Sequence, residues 1–291
     1  MTTEMNLLKD RNAHPRDKRI RFDELPHKYY IDGCTLGYTS CTTFIHTFFG
    51  HFDADSVIEN MVKSKNWKNS KYYGSTPDEI KALWEVERDS ASASGTNMHK
   101  NIELAYNGLP FNDDFVDTIE CRYFLQFRKD NPHLVPYRTE WEVFDEAYKI
   151  AGSIDMVFYN ERTRAYDIYD WKRSKEIKRT SFGGKRGLYP LEEQDDCNFI
   201  HYSLQLNLYK NLLERLYGLV IQDLCLVVIH PNQSGYRTIH VGGMQKQIGW
   251  ILDERMRQNA ICDVESREET AHQTITNEST GSSHPDQSVL T

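Results

Sequence analysis

The chain of 291 residues has no apolar run near the ~20 residues that a membrane-crossing helix needs, which excludes a helical bilayer span. Its first stretch, Met1 to Arg21, lacks the apolar core of a secretory signal, so an intracellular location without membrane attachment is expected. The six cysteines contain no C-x-x-C pair. That absence excludes the usual zinc-ribbon spacing and argues against a disulfide scaffold, leaving free thiols as the expectation. No internal repeat and no long linker is visible. The organisation expected is therefore a disordered N-terminus over 1–18, one compact domain over 19–262, and a disordered acidic tail over 263–291.

Net charge is −8, which at first speaks against a nucleic-acid partner. The charge is unevenly spread, however. From Asp263 onward six acids stand against one arginine, so the tail carries −5 and the body only −3. Within the body, Trp171 to Gly187 holds seven basic residues against the single acid Glu176. Such a local excess can guide a polyanion even on an acidic chain; the simpler reading is a solvated basic loop.

Hydrophobic spacing and turn residues predict a coarse sequence of elements. A strand is expected at His27–Asp32, then helices at Cys41–Phe49 (capped by Thr39 or Ser40), Ala54–Lys65 and Thr76–Ser90. Thr76-Pro77-Asp78-Glu79 is a helix start: an N-cap, proline in the first turn, then acids. Ser94-Gly95-Thr96 reads as a break before a further helix, Asn97–Tyr106, and a longer helix follows at Phe115–Asp130. Three strands come next, at Thr139–Phe144, Lys149–Tyr159 and Arg164–Lys172. After a long basic segment, a helix is expected at Asn198–Tyr217, strands at Leu224–His230 and Gly235–Val241, and a last helix at Met244–Ile261. This order predicts an α/β fold, a mixed central sheet flanked by helices, with a helical N-terminal portion.

The chemistry concentrates at Ile150-Ala-Gly-Ser-Ile-Asp155 and, fifteen residues later, Asp170-Trp171-Lys172. On a strand, Asp170 and Lys172 share a face and Trp171 points the other way. Two carboxylates beside a lysine suit metal-assisted phosphodiester hydrolysis, because Mg²⁺ prefers oxygen ligands and a lysine can position or deprotonate the attacking water. Taken alone, so short a pattern as D-x-K reads first as an edge-strand ion pair, and it is the neighbouring motifs that favour the catalytic reading. Upstream, His99 and Glu103 lie four apart on a helix, where imidazole suits an ion such as Mn²⁺ or a simple His–Glu hydrogen bond. Glu140 and Glu142 are candidate extra carboxylates, of which only one is expected to face the metal. Downstream, Gln205 and Tyr209 flank the apolar face of their helix, as phosphate or base contacts or as boundary residues.

Taken in order, Gly95-x-x-x-His99-x-x-Ile-Glu103, Glu140, Gly152-Ser-Ile-Asp155, Asp170-Trp171-Lys172 and Gln205-x-x-x-Tyr209 resemble the PD-(D/E)XK nuclease superfamily. The resemblance is to its RecB-like exonuclease branch, with the CRISPR-associated, lambda-type and mitochondrial genome maintenance exonucleases, and spans about His27 to His230. It implies a restriction-endonuclease-like sheet and Mg²⁺ or Mn²⁺ as cofactor. By the resemblance, Asp155, Asp170, the backbone carbonyl of Trp171 and His99 are metal ligands. Lys172 is the catalytic lysine and Glu140 an acid acting through the metal's water shell. Gln205 and Tyr209 contact the DNA strand.

Three departures stand out. Ile154 replaces the nominal proline, Arg173 follows the lysine where threonine is frequent, and the cysteines lack the arrangement that binds an iron–sulfur cluster, so none is expected. Between the catalytic strand and the Gln-x-x-x-Tyr helix, the basic segment offers Arg173, Lys175, Lys178, Arg179, Lys185 and Arg186 to a phosphate chain, with Phe182 or Tyr189 stacking on a base. Trp67, Lys68, Tyr72, Tyr73 and Trp84 form either a wall beside the site or plain scaffold. The function expected is a metal-dependent DNA exonuclease acting on a free or single-stranded end in replication, repair or recombination, in a virus or phage among other settings. A protein partner from those processes fits the same expectation. A structure-specific endonuclease and a non-catalytic DNA-binding module are the rival readings.

Overall fold

The computed structural model describes residues 7–260; the acidic tail expected over 263–291 lies outside them. The N-terminal part is α1 (Leu7–Arg11), the hairpin strands β1 (Ile20–Asp23) and β2 (Lys28–Ile31), the short strand β3 (Thr39–Ser40), α2 (Cys41–His46) and α3 (Ala54–Lys63). Then come α4 (Pro77–Tyr106), α5 (Asp113–Val116), α6 (Ile119–Asp130), β4 (Leu134–Asp145), β5 (Ile150–Asn160) and β6 (Ala165–Lys172). The chain continues through α7 (Asn198–Leu216), β7 (Ile221–Val228), β8 (Arg237–His240) and α8, which occupies residues 245–260.

β3 to β8 form one mixed sheet. β5 pairs antiparallel along its whole length with β4. Its other edge is shared: β3 takes Ile150 and Ala151 in parallel, and β6 takes Met156 to Asn160 antiparallel. Gly152 to Asp155 therefore have no strand partner on that edge. β6, α7 and β7 make a β-α-β unit, with β7 parallel to β6 and β8 closing the sheet antiparallel.

Side chains alternate between two cores. Ile168, Leu224, Leu226 and Val228 face Phe44, Leu204, Leu208, Leu212, Ile248 and Ile251, so α2, α7 and α8 cover one face. Tyr169, Trp171, Cys225 and Val227 face Met98, Ile102, Phe124 and Phe127, so α4 and α6 cover the other. The architecture is the expected α/β one, a mixed sheet between helical layers.

Three expectations need correction. The break at Ser94-Gly95-Thr96 does not exist: α4 runs unbroken for 30 residues. Gly95 costs a helix only about 1 kcal/mol relative to alanine. Five buried side chains, from Ile80 to Tyr106, dock the helix on both sides of that point. Its start is as read, with Thr76 and Glu79 forming a reciprocal capping box ahead of Pro77. Second, the helix expected at 115–130 is two, because Thr118 caps a new start by accepting from the N–H of Cys121. Third, residues 7–18 are docked rather than disordered. Leu8 is buried, and Asp17 takes hydrogen bonds from Arg138 (2.8 Å) and the Trp141 indole (2.9 Å).

Candidate metal centre

Three strands and one helix deliver the polar side chains. On β4 and β5, Thr139 pairs with Met156 and Trp141 with Ile154, which sets Glu140 opposite Asp155. Glu140 itself has φ +40°, a left-handed conformation uncommon outside glycine, so β4 is locally distorted at this residue. On β5 and β6, pairing stops at Met156 and Tyr169, one step short of Asp155 and Asp170. Where the strands part, the Asp155 carboxylate accepts the backbone N–H of Trp171 at 2.9 Å. The buried Trp171 ring fixes that end of β6 by packing edge-on to Phe127, centroids 5.3 Å apart.

His99 reaches the same seam from α4. Its Nε2 lies 2.8 Å from the Trp171 carbonyl oxygen, and its Nδ1 faces Asp155 at 3.5 Å and Glu140 at 3.7 Å. Burial works against a charged imidazole here, but Asp155 and Glu140 outweigh it and push His99 up to about 9. Burial raises the Asp155 carboxyl; His99 opposes that shift and the neighbouring Glu140 adds to it. Ser153 steadies Glu140 through a 3.0 Å hydrogen bond.

The ligand atoms of His99, Glu140 and Asp155 all lie within 4.8 Å of one another. Six-coordinate Mg²⁺ holds its donors at about 2.1 Å, so donors on opposite sides of the ion are about 4 Å apart, close to this spacing. One imidazole, two carboxylates and a backbone carbonyl are a donor set that suits Mg²⁺ or Mn²⁺.

Asp170, expected among the ligands, is not part of that group. It lies on the α7 face of β6, where its carboxylate meets Lys172 at 2.7 Å. Burial disfavours the Lys172 ammonium, yet Asp170 and Asp155 hold its pKa above the ordinary lysine range. Tyr202 of α7 adds its ring face 4.5 Å from the same ammonium. Tyr202 was missed in the sequence; its only signal is its place one turn before Gln205 on one helix.

The remaining expected residues divide. Of the two glutamates on β4, Glu140 faces the site and Glu142 accepts the N–H of Phe22 instead. Glu103 pairs with Lys100, not with His99. Tyr209 is 3% exposed and packs on Gly152, so from this position it is a packing residue and not a strand contact. Gln205 is half-buried, 3.5 Å from the Tyr209 hydroxyl. Arg173 is tied to Glu120 at 2.8 Å. Lys175, Lys178, Arg179, Lys185 and Arg186 are exposed, as are Phe182 and Tyr189. Arg179 lies over the ring of Phe199, and Arg186 donates to the Glu193 carbonyl. The segment is pinned, since the N–H of Leu188 donates to the Phe48 carbonyl at 2.7 Å.

No family model and no curated protein matches the chain. Among solved structures it is similar to one described as "Crystal structure of SSO0001", at 16% identity, over 89% of this chain and 87% of that one, with a TM-score of 0.31. Among the described residues no helix is long and apolar enough to cross a membrane.

Proposed function

We propose that this protein is a metal-dependent nuclease, a DNA exonuclease that works on free ends in replication, repair or recombination. The observation that supports the reading is the meeting of His99, Glu140, Asp155 and the Trp171 carbonyl at one seam, with Lys172 on the adjacent strand end. His99, Asp155 and the Trp171 carbonyl would hold the ion, with Glu140 beside it. An ion so held lowers the pKa of a water and offsets the charge of the phosphate.

The chain's own groups do the rest. Asp155, fixed by the Trp171 N–H, keeps its carboxylate oriented. Ser153 orients Glu140 toward the same point. Lys172, charged and steered by Asp170 and Tyr202, meets a phosphate oxygen as a point charge. The protonated lysine fits a positioning and charge-stabilising role better than that of a proton acceptor. The exposed lysines and arginines of the segment after β6 add attraction for the phosphate chain.

The test is a titration of Mg²⁺ and Mn²⁺ against end-labelled linear and closed circular DNA, with Asp155→Asn and Lys172→Ala alongside. Metal-dependent loss of linear DNA alone, abolished by both substitutions, is expected. Cutting of circles would replace the exonuclease by an endonuclease at the same site. Binding of DNA without cleavage in either metal would overturn the catalytic reading.

A further inference from the structure

Between the first half of α4 and the segment leaving β6 lies a groove of about 880 Å³. It starts at Arg173, the residue after Lys172, and runs along α4 from Ala91 back to Lys81. Phe52 and Trp84 line it with ring centroids 6.0 Å apart. Phe52 is 66% exposed, whereas Trp84 is anchored at its edge, where Nε1 donates to the Tyr72 hydroxyl at 2.7 Å. Lys175 and Lys178 also border the groove, both exposed and without an ion-pair partner among the described residues; Glu85, Glu87 and Glu176 share the lining, so its five basic side chains outnumber the acids by two.

Aromatic faces and free ammonium groups together select among occupants. A small anion has no use for the rings, and an apolar peptide has none for the lysines. A duplex keeps its base faces stacked and out of reach. A single strand of nucleic acid presents both π-faces and phosphates, the two features such a groove can hold.

We infer that this groove grips a single strand at a distance from the candidate metal centre, with bases on Phe52 and Trp84 and phosphates on Lys175 and Lys178. The inference rests on the nuclease reading for the direction of the strand. The fifteen residues from Trp84 to His99 span about 22 Å of helix. At about 3.4 Å per stacked nucleotide that is about six to seven nucleotides. A strand whose end lies at the metal centre therefore meets the lysines first and reaches the rings only if it extends by more than this.

The experiment uses the full chain carrying Asp155→Asn, without metal, titrated into a fluorescein-labelled oligothymidylate of about twelve nucleotides and read by polarisation. Phe52→Ala/Trp84→Ala removes the rings; Lys175→Glu/Lys178→Glu reverses two exposed charges and leaves the fold intact. Weakening of binding by about fivefold or more in either double variant is expected. Affinity within about twofold of the Asp155→Asn chain in both variants would overturn the inference. Because no cleavage is involved, an inactive parent chain would overturn the nuclease reading and leave this result readable.

Discussion

The backbone N–H of Trp171 donates to Oδ2 of Asp155 at 2.9 Å, where β5 and β6 have ceased to pair. One side chain thus does two things: it replaces a missing rung of the ladder and faces His99 with a carboxylate. Asp155→Asn separates them. The amide oxygen can still accept the Trp171 N–H, so stability is expected to stay within about 1 kcal/mol of the parent. The charge that faces His99 disappears, and Mn²⁺ affinity is expected to fall at least tenfold, an order of magnitude typical even of outer-shell changes. Calorimetric titration with Mn²⁺ beside urea unfolding reads both quantities.

Lys172 and Asp170 form an ion pair whose side chains are 18% and 4% exposed. Lys172→Met leaves a buried carboxylate without its cation, and breaking such a pair costs about 3–5 kcal/mol. Burial pushes the Asp170 carboxyl up to about 6 against the pull of Lys172, so without the lysine it rises further. A raised folded pKa stabilises below the unfolded value and loses that stability as pH rises through the folded one. The cost of Lys172→Met is therefore expected to shrink from neutral to acidic pH. Asp170→Asn/Lys172→Met is expected to recover most of the loss at neutral pH. Chemical unfolding of the three chains at two pH values checks this.

Much of the site was legible because strands report themselves locally. Asp170 and Lys172 close β6 while Asp155 lies at the middle of β5, and a period of two sets Asp170 and Lys172 on one face. What stayed hidden depended on partners far along the chain. Arg173 reads as a free cation until Glu120, on α6, is set beside it. Tyr209 reads as polar until its ring is found against Gly152. The N-terminal segment looks too polar to fold, with Leu8 its buried apolar anchor and its ionic anchor more than a hundred residues away at Arg138. Gly95 misled in the other direction, since a residue that weakens an isolated helix is tolerated when tertiary contacts hold both halves.

That ionic anchor makes stability depend on acid. Asp17 and Arg138 are 8% and 2% exposed and 2.8 Å apart. Burial opposes the Asp17 charge, but Arg138, the His14 N–H and the Trp141 indole hold its carboxyl below the ordinary 3.8. A depressed folded pKa gives stability that is complete above the unfolded value and is lost as pH falls through the folded one. The parent is expected to exceed Asp17→Asn by about 3–5 kcal/mol at neutral pH, because Arg138 loses its counter-charge. That margin is expected to hold down to about pH 4 and then close. Thermal melts across pH 2–7 show whether it does.

Gly152 lies on β5 under the helix that carries Gln205 and Tyr209. A Cβ there would come 2.8 Å from Tyr209 Cε1 and its hydroxyl oxygen, and 2.9 Å from Cys41 Sγ. Both neighbours are buried, Tyr209 at 3% and Cys41 at 0%, so neither side chain has solvent to move into. Gly152→Ala is therefore expected to cost about 1–3 kcal/mol through overpacking. The strain falls three residues before Asp155, so its second effect is expected on the seam: weaker Mn²⁺ binding than the loss of stability alone would cause. Trimming the opposing groups with Tyr209→Phe and Cys41→Ala in the Gly152→Ala background removes the hydroxyl and sulfur contacts but keeps the ring. Partial recovery of stability and of Mn²⁺ affinity together would mean that α7 sets the position of Asp155 through Gly152. Recovery of stability without metal affinity would mean that the helix supports the core and leaves the candidate metal centre to β4, β6 and His99.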